Sequence, residues 1–210
     1  MRLLGARSVP VVARGGRFIY SQSLAEVREF LGMPPEQEKA LTAEELAQRI
    51  DLVLAAALRY ARQMPDAVLD GPFRNSWAPP RGLAHHVFRI VEAFIEALEN
   101  REPLTYELIM LGTYDVRPGA DVVAYGEGIR ERFQDWWKRN KGVDFSRTVA
   151  TYYGEQSLLA TLERTTWHSA QHTRQLMVVL EANGIQIDGP LTAADLQGLP
   201  LPERPWDEDA

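Results

Sequence analysis

Histidine is scarce in this 210-residue chain, and it comes in pairs: His168 and His172 stand four apart, while His85 and His86 are adjacent. On a helix, residues four apart project the same way, because each step turns the chain by about 100°. The segment His168-Ser169-Ala170-Gln171-His172 would therefore be a bidentate metal site if it were helical. Its surroundings say that it is. With His168 at zero on a helical wheel, Leu158, Leu162, Leu176 and Leu180 gather at about 80–120° and His172 falls at about 40°. His172 lies inside the buried stripe and His168 on its flank. Gln171, Arg174 and Gln175 are within a turn of them, and Gln175, at about 340°, is best placed to hold a ligand from behind.

A third ligand has to come from the other pair. In the segment 81–100, Leu83, Val87, Ile90, Phe94, Ala97 and Leu98 form one stripe. His86 borders it beside Ile90 and Ala97, whereas His85 falls opposite, with Glu92 and Glu96. The wheel selects His86 as the inward residue and His85 as a surface one. Three neutral imidazoles, His86, His168 and His172, leave a coordination position open, as catalytic rather than structural sites do. Zinc and nickel both accept such nitrogen sets and are the divalent ions expected here, and affinity alone does not choose between them. Either lowers the pKa of a bound thiol or water, so that the deprotonated form exists at neutral pH. No side chain is assigned as a general base, since Glu163 and Glu181 project away from the histidine face.

The elements that must position these residues are mostly helices. Residues 9–14 and 17–20 are β-rich runs about Gly15-Gly16, a hairpin signal. Ser23, with Glu26 three residues on, opens a short helix that Gly32 closes. Thr42-Ala43-Glu44-Glu45 is a second capping box, after which Leu46, Ile50, Val53, Ala57 and Tyr60 recur at helical spacing to about Gln63. Residues 64–80 hold four prolines and read as a loop; residues 81–100 form the second long helix. Residues 102–119 are irregular, with an apolar run at 108–111 that fits either a short strand or a turn of helix.

The third helix, 120–139, turns Val122, Tyr125, Ile129, Phe133 and Trp136 inward, although Gly126 and Gly128 weaken its first turns. A connector, 142–154, contains a β-prone run at 148–153, and the histidine-bearing helix extends from Glu155 to a cap at Asn183-Gly184. Thr192 to Leu196 reads as a short helix and 199–210 as a Pro-rich, acidic, extended tail. Trp77, Trp136, Trp137 and Trp167 read as packing residues; Tyr152 and Tyr153 either rim a pocket or belong to the β-prone connector. The expected architecture is mainly α. A four-helix bundle over 42–190 is preceded by a hairpin-helix appendage (1–33) and a linker (34–41), and followed by a short helix and tail (191–210). Bundle cores are where such folds place metals.

Composition narrows the partners. The formal net charge of -6, with Lys138-Arg139-Asn140-Lys141 as a helix-ending run, argues against nucleic acid. There is no cysteine, so any thiol in the chemistry is supplied by a small molecule. No stretch approaches the ~20 apolar residues of a membrane span, and the N-terminus lacks an apolar leader, so a cytoplasmic protein is expected.

Two resemblances follow from these residues. His168-Ser-Ala-Gln-His172-Thr-Arg-Gln175-Leu176, with Leu83-Ala-His-His86-Val-Phe-Arg-Ile90, resembles the DinB-like superfamily of four-helix bundles over about residues 42–184, and Gly154 fits the same pattern. That superfamily includes low-molecular-weight thiol S-transferases and mycothiol-dependent maleylpyruvate isomerases. The resemblance implies an up-down-down-up bundle with His86, His168 and His172 on a divalent metal. The run from Ser8 to Tyr20, which contains Val9-Pro10, resembles the last two strands of a glutaredoxin, where that bond is cis and a final helix follows. Lacking the cysteine and the preceding elements, it can be only a structural remnant, and a homodimer is the expected assembly. These readings imply a metal-dependent transferase acting on an external thiol and an electrophile, or a related hydrolase. The alternative is a non-enzymatic metal-binding or scaffold protein whose N-terminal piece docks a partner.

Overall fold

Gly15 and Gly16 both take positive φ (57° and 78°), as a tight turn between right-twisted strands requires. They join β1 (Val11–Arg14) to β2 (Arg17–Tyr20) in register Val12↔Ile19 and Ala13↔Phe18. The helix α1 (Leu24–Leu31) follows and ends at Gly32, where Gly32 N–H bonds to Glu29 O and Met33 N–H to Arg28 O. The Arg17 guanidinium over the Phe30 ring, 5.6 Å from its centroid, holds hairpin and helix together. The computed structural model describes residues 11–20, 24–33, 40–74, 76 and 78–205. The Val9-Pro10 bond, the Ser23 cap, Trp77, most of the 34–41 linker and the last five residues lie outside them.

The bundle begins at Thr42, whose Oγ1 accepts from Glu45 N–H at 3.2 Å while the Glu45 carboxylate accepts from Thr42 N–H at 2.7 Å. This reciprocal cap opens α2 (Ala43–Gln63). The expected loop after it contains a turn of helix, α3 (Asp66–Leu69), before α4 (Pro80–Asn100). The apolar run in the irregular stretch is helical, α5 (Tyr106–Met110), and α6 (Val122–Asn140) follows. The histidine-bearing helix starts later than its periodicity suggested. Residues Gly154–Ser157 are a strand, β4, paired antiparallel with β3 (Thr148–Thr151), and Ser157 then caps α7 (Leu158–Ala182). Residues 192–196 form turns closed by Thr192 and Asp195, not the expected helix.

Each of α2 and α4 packs against both α6 and α7, so α2 and α4 are diagonal partners, as are α6 and α7. Arg81 at the start of α4 pairs with Asp66 and Asp70 just after α2 ends, so these two helices are antiparallel. Arg81 also donates to Ala120 O at 2.6 Å, and Arg132 and Arg139 reach Glu99, so α4 and α6 run the same way. Tyr60 near the end of α2 accepts from Leu191 N–H at 2.8 Å, just beyond the end of α7. The directions are therefore up, down, down, up. Among the described residues no helix is long and apolar enough to cross a membrane.

The core is aromatic at one end, where the Trp136 ring meets Phe94 at 5.1 Å and Phe133 at 5.9 Å. Gly126, which looks like a helix weakness in sequence, lets α6 pack against α4: a Cβ there would sit 2.5 Å from the Phe88 ring. Gly128, two residues on, faces open space. Gly126→Ala should lower stability by about 1–3 kcal/mol through overpacking, while Gly128→Ala should raise it by about 0.5–1 kcal/mol through helix propensity. Urea denaturation midpoints moving in opposite directions would confirm the assignment; a common sign would refute it.

Candidate metal centre

Close approach of α4 and α7 creates the site. Ser169 and Ala170 are fully buried between them, and Ser169 Oγ donates to Val87 O at 3.1 Å. The buried threonines of α7 return their hydroxyls to their own helix, Thr165 to Thr161 O and Thr173 to Ser169 O, both at 2.8 Å. They thus pack as small apolar residues without leaving a polar group unsatisfied.

His86 enters from α4 and is buried; His168 and His172 enter from α7 and are partly exposed. Their ring centroids form a near-equilateral triangle, His86–His168 at 5.3 Å, His86–His172 at 4.9 Å and His168–His172 at 5.0 Å. One ligand atom from each lies within 4.8 Å of the other two. Tetrahedral ligands at 2.0–2.1 Å per bond stand roughly 3.4 Å apart, so a modest inward shift of the rings would bring the three nitrogens onto one ion. Among the described residues no carboxylate joins the group.

Hydrogen bonds bear on which nitrogen is available on two of the rings. The Gln175 amide nitrogen donates to Pro205 O at 2.9 Å, so its Oε1 must face His172, whose Nδ1 is 2.7 Å away. An amide oxygen only accepts, so Nδ1 carries the proton and Nε2 the lone pair. His86 Nδ1 lies 3.3 Å from Thr113 Oγ1, so a ligand role falls to Nε2 while that contact is kept. Thr113 is fixed there because buried Arg89 donates to Leu108 O at 2.8 Å and so docks α5 onto α4.

Burial and mutual repulsion keep the cluster neutral. Desolvation is the main cause for all three; it pushes His86 down to about 2 and His172 to about 4, and holds His168 well below the usual range. The Arg164 guanidinium adds to the depression at each. Neutral imidazoles are the form that binds a cation.

His85 is not the surface residue the wheel implied. Its ring stacks on Tyr125 at 4.6 Å, nearly parallel, and lies against Gly112. Trp167 packs against the core, yet it also sits 6.0 Å from the His168 ring and carries Arg164 over its face at 4.1 Å. Thr113 and Pro205 were invisible in sequence, one in an irregular stretch and the other in a Pro-rich tail. The signal for the second was the cluster of donors on α7: Gln171, Arg174 and Gln175 all bond to carbonyls of Pro202, Glu203 or Pro205.

No family model matches the sequence, and no curated protein does. Among solved structures, YfiT from Bacillus subtilis matches with a TM-score of 0.53 and 17% identity, over 73% of this chain and 96% of that one. It is described as a probable metal-dependent hydrolase with an unusual four-helix bundle topology. This chain shares that fold. At such identity the likeness speaks for architecture, and it is consistent with the DinB-like outline that the histidines suggested.

Proposed function

We propose that this chain is a metal-dependent enzyme that activates an external low-molecular-weight thiol for transfer to an electrophile. The observation that carries this reading is the convergence of three neutral imidazoles from two helices, with Nδ1 engaged on two of them. His86, His168 and His172 would hold a divalent cation, zinc or nickel, with Gln175 orienting His172. When bound, the cation supplies a Lewis acid that favours the ionised form of a sulfur or oxygen ligand.

A set of three imidazoles serves either ligand: a thiol at about 8.5 needs only a small push to ionise at neutral pH, and water at about 15.7 needs a large one that a three-histidine zinc also supplies. The thiol has to be external because the chain has no cysteine. Hydrolysis is the second reading, and the description of YfiT supports it. The hairpin and α1 are assigned to pairing with a second copy in the cytoplasm, since a two-stranded sheet alone is marginal in water.

The test uses full-length protein reconstituted with zinc or nickel. Turnover of a thiol with an alkylating or isomerisable electrophile, lost on chelation and restored by metal, is the expected result. Ester or amide hydrolysis without thiol would shift the assignment to the second reading. Absence of both, with metal that only raises the melting temperature, would make the centre structural.

A further inference from the structure

Gln171, Arg174 and Gln175 stand three and four apart on α7 and share one side of it. The polarity of that side is fixed from Arg174. A guanidinium only donates, so the Gln171 side-chain atom that meets its Nη1 at 3.2 Å is the oxygen Oε1. The Gln171 amide nitrogen is thereby turned to the Pro205 carbonyl, to which it donates at 2.8 Å. Gln175 brings a second amide nitrogen to the same oxygen at 2.9 Å. A carbonyl oxygen has two lone pairs, and these two donors fill them. The orientation then passes inward, because Gln175 Oε1 is left for His172 Nδ1, 2.7 Å away. Arg174 also ties the segment down, donating to Pro202 O at 2.6 Å and to Glu203 O at 2.7 Å.

His172 by itself would not orient Gln175. An amide can offer its oxygen to a ring N–H or its nitrogen to a ring lone pair, and the second arrangement puts the imidazole proton on Nε2. That tautomer has no lone pair where a ligand to the shared centre needs one. With Pro205 in place, turning Gln175 over would set its oxygen against a carbonyl oxygen and lose a hydrogen bond at a buried side chain. The choice between tautomers therefore rests on a carbonyl thirty residues beyond Gln175. Leu199, which is buried, and Leu201, which packs against the core, seat the chain just ahead of it.

We propose that residues 202–205 are a strap that sets the tautomer of His172, with the Pro205 carbonyl as the positioning group and Gln171 and Arg174 holding it in place. Its purpose rests on the metal-dependent reading, and it goes beyond that reading by making the hold on the ion depend on a segment that supplies no ligand. Displacing the strap would weaken the centre with all three histidines intact.

The test uses full-length, 15N-labelled, metal-free protein at pH 7.5, where two-bond 1H–15N spectra show which nitrogen of each histidine carries the proton. The parent should hold the His172 proton on Nδ1 in about tenfold excess or more. Gln171→Ala with Arg174→Met removes three of the four bonds to the strap and leaves the histidines and Gln175 in place. It should bring the two tautomers to within about threefold of each other. Adding Gln175→Glu should restore the Nδ1 proton, since a carboxylate only accepts, whichever way it lies. A merely structural loss would not be rescued in this way, because glutamate cannot donate to Pro205. Cobalt titration of the same three proteins should show affinity falling about tenfold and then recovering. An unchanged tautomer ratio in the double variant, or no recovery with Gln175→Glu, would overturn the strap. If cobalt binds none of the three, the metal-dependent reading falls, while the spectra of the metal-free proteins still decide the strap. Melting curves confirm that each variant is folded, and Arg174→Met alone gives the same comparison with a smaller shift should the double variant fail to fold.

Discussion

His172→Ala is expected to strip the purified protein of stoichiometric metal, while His85→Ala retains it. The two histidine pairs are equally conspicuous in sequence, so this contrast tests the geometry. His172 and His168 each offer a nitrogen to a common point with His86, whereas His85 faces Tyr125 on the other side of α4. Removing one of three ligands should weaken affinity by more than the roughly 10–100-fold that loss of an outer hydrogen-bond partner costs. Gln175→Ala supplies that smaller value for comparison, since it frees the His172 ring to rotate and lose its tautomer. Elemental analysis and cobalt titration measure both. A His172→Ala protein that binds one cation as tightly as the parent would end the three-histidine reading.

Acid should unfold the metal-free protein unusually early. An unfolded histidine titrates near 6.5, whereas His86, His168 and His172 stay neutral in the fold well below that. Between about pH 6.5 and pH 4 the unfolded chain therefore binds protons that the folded chain refuses, and stability falls as pH falls. At pH 5 each of the three costs up to about 2 kcal/mol, or roughly 6 kcal/mol together, comparable to the whole stability of many domains. The carboxylates do not confuse the window. Asp70 and Glu99 are lowered chiefly by arginine hydrogen bonds, and Asp51 because its desolvation is outweighed by Arg130 and Gln134 together, so all three lose their contribution only at more acid pH. Denaturation of chelator-treated protein at pH 7.5 and pH 5 measures the slope. Metal at pH 7.5 should raise the starting stability. A stability that is flat between pH 6.5 and pH 5 would show that the rings are solvated.

The long helices were legible because each is an independent amphipathic stripe with its own punctuation. Thr42, Gly32 and Gly184 are caps in sequence and in space. His86 could be chosen over its neighbour because a helical wheel needs only the buried side, and Leu83, Val87 and Phe94 define it. What the wheel could not see was the other side of α4. Glu92 and Glu96 look like a solvated face, but α6 runs parallel to α4 and presents Arg132 and Tyr125 to it. Glu92 accepts from Tyr125 OH at 2.6 Å and pairs with Arg89 and Arg132. His85 is covered by that interlocking of charges. The short elements failed for a related reason: β4 exists through its pairing with β3, and β3 also bridges Leu104. Such partners lie far along the chain, and no local pattern encodes them. The tail likewise took its place from Gln171, Arg174 and Gln175, which a wheel marks only as polar.

The spacing of the ligands along the chain has a further consequence. His86 and the α7 histidines are separated by about eighty residues, including all of α6, so an ion shared between them would tie off a loop of that length. In disulfide terms such a tie is worth about 4.5 kcal/mol of chain entropy in the unfolded ensemble. A protein without cysteine could thus carry a reversible staple across its middle, one that an oxidant leaves untouched and a chelator opens.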